Sequence, residues 1–350
     1  MFKKIILFPF KLVWGLVKVF LIVFIVAAVM FAFCRLYKFA PSTNQVAFVK
    51  EAKFSEDIDY VKEINVAEGE EINILQLTDV QLSDLAMSKC EESFKQIKDL
   101  IEKEEPELIV ITGDITYGGW VVGYLEEFIK FMDSFKIPWA PVYGNHDHEA
   151  FQSVEWMSEQ FMKSKYCLLH KGPNNIDGSG NYVVNIKQGN EIVYSCIFMD
   201  SLNKDGLINY ANMTQSQIEW YSWVVDGLGD VPTMLFFHIP LYEYKDAYEN
   251  AKNNSFTKDV FFGEKREDIC SAVETNGFFD VIKEKESTTH IFVGHDHINS
   301  FGAFYEGVWL CYGVKTGIGS YYDKDLTGGQ FINIQTDGSV EIEQVIYPSK

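Results

Sequence analysis

The chain is short of positive charge: 30 Lys and Arg stand against 50 Asp and Glu, a formal net charge of -20. A surface this acidic repels polyanions, which argues against nucleic-acid binding and against broad adhesion of the main body to anionic lipid. It does not bar an anionic substrate, because bound cations would dominate the field at a local site. Clustered cysteine is missing as well. The six cysteines include no Cys-x-x-Cys pair, and Cys34 closes an apolar N-terminal run. Zinc–thiolate sites need clustered ligands and are not expected. The cysteines read as buried thiols, or as one or two disulfides in an oxidising compartment. Internal repeats and low-complexity tracts are also absent.

What is present begins with residues Ile5 to Phe33, almost wholly apolar and broken by Pro9, Lys11, Gly15 and Lys18. A helix from about Leu12 to Phe33 would be long enough to cross a hydrocarbon core of roughly 30 Å at about 1.5 Å per residue. Lys3, Lys4, Lys11 and Lys18 precede the core, while Arg35 and Lys38 follow it. This modest bias puts the N-terminus in the cytoplasm and the main body outside, as in a single-pass membrane protein. Secretion after signal cleavage is the alternative, but the apolar region is long for that role and no small-x-small site follows. The expected organisation is an anchor over residues 1–40, an acidic tether and edge strand over 41–70, and one domain over 71–350.

That domain opens with the strand-like run Ile72 to Leu77, followed by helical spacing over Cys90 to Lys103. Leu108 to Thr112 and Ile137 to Val142 read as buried strands around a helix from Leu125 to Phe135. The alternation argues for β-α-β units with parallel central strands, hence an α/β fold. The second half is richer in strands: Tyr182 to Ile186, Ile192 to Met199, Thr233 to Phe237, His290 to Val293, Val308 to Tyr312, Gln330 to Ile334 and Val340 to Tyr347. Ser216 to Val225 and Gly277 to Lys285 read as helices, and Tyr242 to Lys265 as a polar loop or lid.

Five of these strands end in metal-ligand chemistry: Asp79 with Gln81, Asp114 with Tyr117, Asn145 with His146, His238, and His295 with His297. One such group could be a helix cap. Five together at strand ends point to a shared two-metal site, since the carboxyl ends of parallel strands are where α/β folds gather chemistry. Mixed carboxylate and imidazole suit zinc, iron or manganese better than calcium.

Asp79-x-Gln81, Gly113-Asp114-x-x-Tyr117, Gly144-Asn145-His146-Asp147, His238 and Gly294-His295-Asp296-His297 resemble the ordered motifs of the calcineurin-like metallophosphoesterases. Further wording, such as Gly178-Ser179-Gly180-Asn181-Tyr182 and His238-Ile239-Pro240-Leu241, resembles the small purple-acid-phosphatase-like branch that includes the DCR-type phosphatases of fungi. The resemblance implies a β-sandwich of two mixed sheets flanked by helices, with two metals between the sheets' loops. It implies Asp114 as bridging ligand, Asp79 and His297 on one ion, and Asn145, His238 and His295 on the other. His146 would face the substrate's leaving group as the catalytic residue, and Asp147 would support it.

The departure is Gln81, where many members carry His. Tyr117 stands where purple acid phosphatases carry their metal-binding tyrosine, so a phenolate is expected to complete the first site. The implied cofactors are two divalent or mixed-valence ions, iron paired with zinc, manganese or iron. The implied activity is hydrolysis of phosphate esters by a metal-activated hydroxide on a phosphorylated small-molecule or lipid substrate, with phosphomonoesters preferred. A phosphodiesterase acting on a nucleotide or lipid headgroup, or a non-catalytic metal-binding ectodomain, are the alternatives. His148 is left to touch substrate or solvent, and His170 and His290 to be structural.

Overall fold

The computed structural model describes residues 2–36, 46–83, 87–205 and 209–347. The start of the expected tether, residues 41–45, lies outside them. Along the chain run α1 (Phe2–Leu36), β1 (Val61–Val66), β2 (Ile72–Leu77), α2 (Met87–Glu104), β3 (Leu108–Thr112), α3 (Val122–Ser134), β4 (Trp139–Val142), α4 (Asn145–Glu149) and α5 (Val154–Phe161). Then follow β5 (Tyr182–Gln188), β6 (Glu191–Phe198), β7 (Lys204–Asp205), β8 (Asn209–Tyr210), α6 (Gln215–Leu228), β9 (Thr233–Phe236), α7 (Glu243–Asn253) and β10 (Phe261–Phe262). The chain closes with α8 (Phe278–Lys285), β11 (Thr288–Val293), β12 (Gly302–Tyr305), β13 (Val308–Tyr312), β14 (Gly328–Ile334) and β15 (Val340–Ile346).

Two mixed sheets form the body. One has eight strands in the order β1-β5-β6-β9-β11-β13-β12-β10, and the other five in the order β15-β14-β2-β3-β4. In the smaller sheet β2, β3 and β4 run parallel. In the larger one β6, β9, β11 and β13 run parallel. Every residue of β3, Leu-Ile-Val-Ile-Thr, is buried, as a continuous branched apolar run should be when both faces of the sheet are covered. Helix α2 buries Ile97, Leu100 and Ile101, one stripe at helical spacing. A buried amide ladder ties the layers together. Gln76 Nε2 donates to Thr112 Oγ1 at 2.9 Å and to the Val293 carbonyl of the other sheet at 3.2 Å, while Gln330 Nε2 donates to Gln76 Oε1 at 3.0 Å.

The expected edge strand is β1, at one border of the larger sheet. Helix α1 contains Val13–Met30, 18 residues of mean hydropathy 2.7 with none of that stretch buried against the body. It is long and apolar enough to cross a membrane. The expected lid over Tyr242 to Lys265 is overturned. Its first half is helix α7, with Tyr244, Ala247 and Ala251 buried. The Tyr244 hydroxyl is 3.0 Å from the Ile291 carbonyl of β11. Three apolar positions at helical spacing seat the segment on the sheet, so it is core and not cover. The sequence reading also passed over α5 and β12, short elements without long periodic runs.

Candidate metal centre

The carboxyl ends of β2, β3, β4, β9 and β11 deliver Asp79, Asp114, Asn145, His238 and His295 to one place between the sheets. Their backbones interlock: Asp79 N donates to the Gly113 carbonyl at 3.1 Å, Gln81 N to the Asp114 carbonyl at 2.9 Å, and Gly294 N to the His238 carbonyl at 3.1 Å. Asp79, Gln81, Asp114 and His295 all have positive φ, between 49° and 80°. Non-glycine residues in that region are uncommon, and they cluster where a site over-determines the backbone. The motif glycines explain how the strands come so close. A Cβ on Gly144 would lie 2.2 Å from Asp114 Oδ1, and one on Gly294 would lie 2.0 Å from Thr78 Oγ1.

Asp79, Asp114 and His238 bring one donor atom each within 4.8 Å of one another, a buried group able to hold a metal ion. Three more observations fit a cation. Asn145 Oδ1 and His295 Nε2 are buried and take part in no hydrogen bond, and Asp79 Oδ1 has only the contact of His297 Nε2 at 3.3 Å, an expensive state for polar atoms without a ligand. The histidines are also preset as ligands. His238 Nδ1 meets the Thr112 carbonyl at 2.8 Å and His297 Nδ1 meets the Tyr321 carbonyl at 2.8 Å. Each therefore turns Nε2 inward, 3.3 Å from Asp114 Oδ1 and from Asp79 Oδ1 respectively. Tying one ring nitrogen to a carbonyl fixes the tautomer of a ligating imidazole.

The protonation equilibria give the same result. Burial opposes a charge on His238, yet the attraction of Asp114 wins and raises its pKa to about 9. Burial works against ionised Asp114 too, but His238 and His146 hold it down at about 2. Asp79 is kept well below the usual carboxylate range by His297 despite complete burial. His295 is lowered to about 3 by burial and by the charge of His238. The carboxylates thus call for positive charge at their centre, which a metal supplies without protonating its ligands.

His146 stands at the rim. Its backbone N donates to Asp114 Oδ1 at 2.9 Å and its Nδ1 meets Glu149 Oε2 at 2.7 Å. Its Nε2 lies 3.9 Å from Asp114 Oδ2. Residues Asn145–Glu149 form a single helical turn, α4, which brings Glu149 round beside His146. Tyr117 packs edge-on against the His146 ring at 4.8 Å and is 37% exposed. Asp147 is the expected support: it accepts from Ile115 N, Thr116 N, the Thr116 hydroxyl and Gly144 N. Burial and the neighbouring Asp114 raise it to about 6. His148 departs from its expected role at substrate or solvent. Its Nε2 pairs with buried Asp200 at 2.9 Å, and Asp200 in turn binds Ser179 N and Leu202 N. His170 and His290 are buried away from the centre and held near pKa 4 by that burial.

The sequence reading missed Glu149, Asp200 and Lys315. Lys315 follows β13, is 1% exposed and donates to the Asp79 carbonyl at 2.7 Å and to Gln81 Oε1 at 3.0 Å. Burial lowers its pKa to about 8 against the pull of Asp79 and Asp114, so it remains an ammonium at neutral pH. A lone Lys after a strand carries no sequence signal. No disulfide joins Cys90, Cys167, Cys196, Cys270 or Cys311 among the described residues.

Two mixed sheets, parallel strand ends and a carboxylate–imidazole cradle between them define a metal-dependent hydrolase of phosphate esters. Residues 72–299 match the calcineurin-like phosphoesterase family, and the chain belongs to it. It is 30% identical over 294 residues to probable inactive purple acid phosphatase 29 of Arabidopsis thaliana, covering 72% of this chain and 73% of that one. It is 27% identical to phosphatase DCR2 of Saccharomyces cerevisiae, over 69% of this chain and 47% of that protein. Among solved structures, a dimetal phosphatase from Danio rerio aligns with TM-score 0.46 and 12% identity, over 75% of this chain and 95% of that one.

Proposed function

We propose that the chain is a phosphomonoesterase with a dinuclear centre, in which Asp114 bridges two ions. Asp79, Tyr117 and His297 complete the first site, and Asn145, His238 and His295 the second. Iron paired with zinc, manganese or iron suits this donor set. The observation that carries the reading is the buried group of Asp79, Asp114 and His238, one donor atom each within 4.8 Å of one another, with Asn145 Oδ1 buried and without a hydrogen bond. When bound, the metal pair would draw charge from the phosphoryl oxygens and lower the pKa of an attacking water. Thr78 and the His295 backbone N hold Asp79 Oδ2 at 2.9 and 3.1 Å, leaving Oδ1 for an ion. His146 Nδ1 donates to Glu149, and Nε2 is left to face the leaving oxygen, where the doubly protonated ring would donate to it or pass it a proton. No nucleophilic Ser or Cys is needed. The apolar part of α1 supports anchorage in a membrane with the catalytic body on the extracytoplasmic side.

The test is hydrolysis of para-nitrophenyl phosphate against bis-para-nitrophenyl phosphate by metal-loaded protein. Preference for the monoester is expected. Preference for the diester would make the chain a phosphodiesterase, and turnover of neither, with metal bound, would favour a binding ectodomain.

A further inference from the structure

The first ion position is faced by an amide with the wrong end forward. Gln81 is buried, and its Nε2 lies 3.1 Å from His297 Nε2 and 3.4 Å from Asp114 Oδ2. Those two atoms are the ones that His297 and Asp114 turn toward the first site. An amide nitrogen has two protons and no lone pair to give, so in this orientation Gln81 donates where a ligand must accept. The orientation is enforced from behind. Lys315 Nζ lies 3.0 Å from Gln81 Oε1. Nζ donates to that oxygen and to the Asp79 carbonyl, so the amide atom facing it is the oxygen. Turning the amide over would set donor against donor in a buried site and leave both unsatisfied. Lys315 is itself anchored by the Asp79 carbonyl at 2.7 Å.

The opposite half has no counterpart of the Lys315–Gln81 pair among the described residues. Asn145 Oδ1 is without a partner, His238 Nε2 faces Asp114 Oδ1 at 3.3 Å, and His295 Nδ1 meets His238 Nε2 at 3.3 Å.

From this contrast we propose that the Lys315–Gln81 pair makes the two metal positions unequal. One ion is held tightly by Asp114, Asn145, His238 and His295, while the ion at Asp79 and His297 binds weakly and exchanges. The proposal rests on the ligand assignment above and adds which position is weak and why.

The decisive variant is Gln81→Glu, which keeps the shape and the Lys315 contact but turns the inward donor into an oxygen ligand. Metal-free full-length protein would be titrated with Mn(II) and with Zn(II) by calorimetry, and retained metal counted after gel filtration. The wild type should keep about one ion per chain, with a second step weaker by roughly tenfold or more, the range that groups behind metal ligands control. Gln81→Glu should keep about two. Lys315→Met, with folding checked by circular dichroism, should also strengthen the second step. Two ions held equally by the wild type, or a second step unmoved in Gln81→Glu, would overturn the proposal. A wild type that binds no ion overturns the metal-centre reading, and this inference with it.

Discussion

The two halves of the cradle share one carboxylate, Asp114, and the same backbone device, strand ends closed by glycine. They differ in what stands behind the ligands. Around Asn145, His238 and His295 the neighbours are the Thr112 carbonyl, the Tyr210 ring and the Ser201 hydroxyl, and Asn145 Oδ1 lacks any partner. Around Asp79 and His297 the neighbours are Gln81 and the buried ammonium of Lys315. Similar motifs thus yield different readiness for a cation, because ligand atoms set what can bind while the groups behind them set how well.

The largest test of this comparison removes what the halves share. Asp114→Asn should empty both positions and lower turnover on para-nitrophenyl phosphate on the order of a thousandfold or more, since several kcal/mol of charge stabilisation are lost. Retained activity with retained metal would break the assignment. Next, His146→Ala should leave metal content unchanged and lower kcat on the order of a hundred- to ten-thousandfold. Loss of metal in that variant would move His146 from the leaving group into the ligand set. A pair of variants separates the halves. His238→Ala should cost the tightly held ion, whereas His297→Ala should weaken only the exchangeable one, each by roughly ten- to a hundredfold in affinity; equal losses in both would erase the distinction. Iron-loaded protein should show a visible charge-transfer band that Tyr117→Phe removes. A band that survives the substitution would take Tyr117 out of the first site.

The smallest effect contrasts the centre with the sheet beneath it. His290 is buried with no carboxylate to charge it, and burial lowers its pKa from 6.5 to about 4. The folded state therefore keeps it neutral while the unfolded chain takes up a proton below pH 6.5. The stability it contributes is complete above that pH and is lost as pH falls toward 4. The loss should reach roughly 2 kcal/mol by pH 5, and His290→Gln should flatten it. Urea midpoints measured across that range check this, and parallel curves for the two proteins would refute it.

Much of the centre was legible because its residues sit where apolar runs stop. Ile72 to Leu77, Leu108 to Thr112 and His290 to Val293 announce strands by composition, and Asp79, Asp114 and His295 follow within two residues of each end. The same logic misread Tyr242 to Lys265, whose polar face concealed the three positions that dock α7. It left His148 to touch substrate or solvent, because it follows the site residues in sequence. Its partner Asp200 lies 52 residues on, and no local pattern connects them.

Sequence by itself determined the layered fold, the strand-end ligand types and the N-terminal apolar span, since each is written in local periodicity and residue chemistry. Tertiary structure alone decided which way Gln81 faces. That depends on Lys315, 234 residues away, and on the burial that makes a misdirected amide costly to turn. Orientation of a polar group is a property of its surroundings, and those are assembled only when the two sheets close.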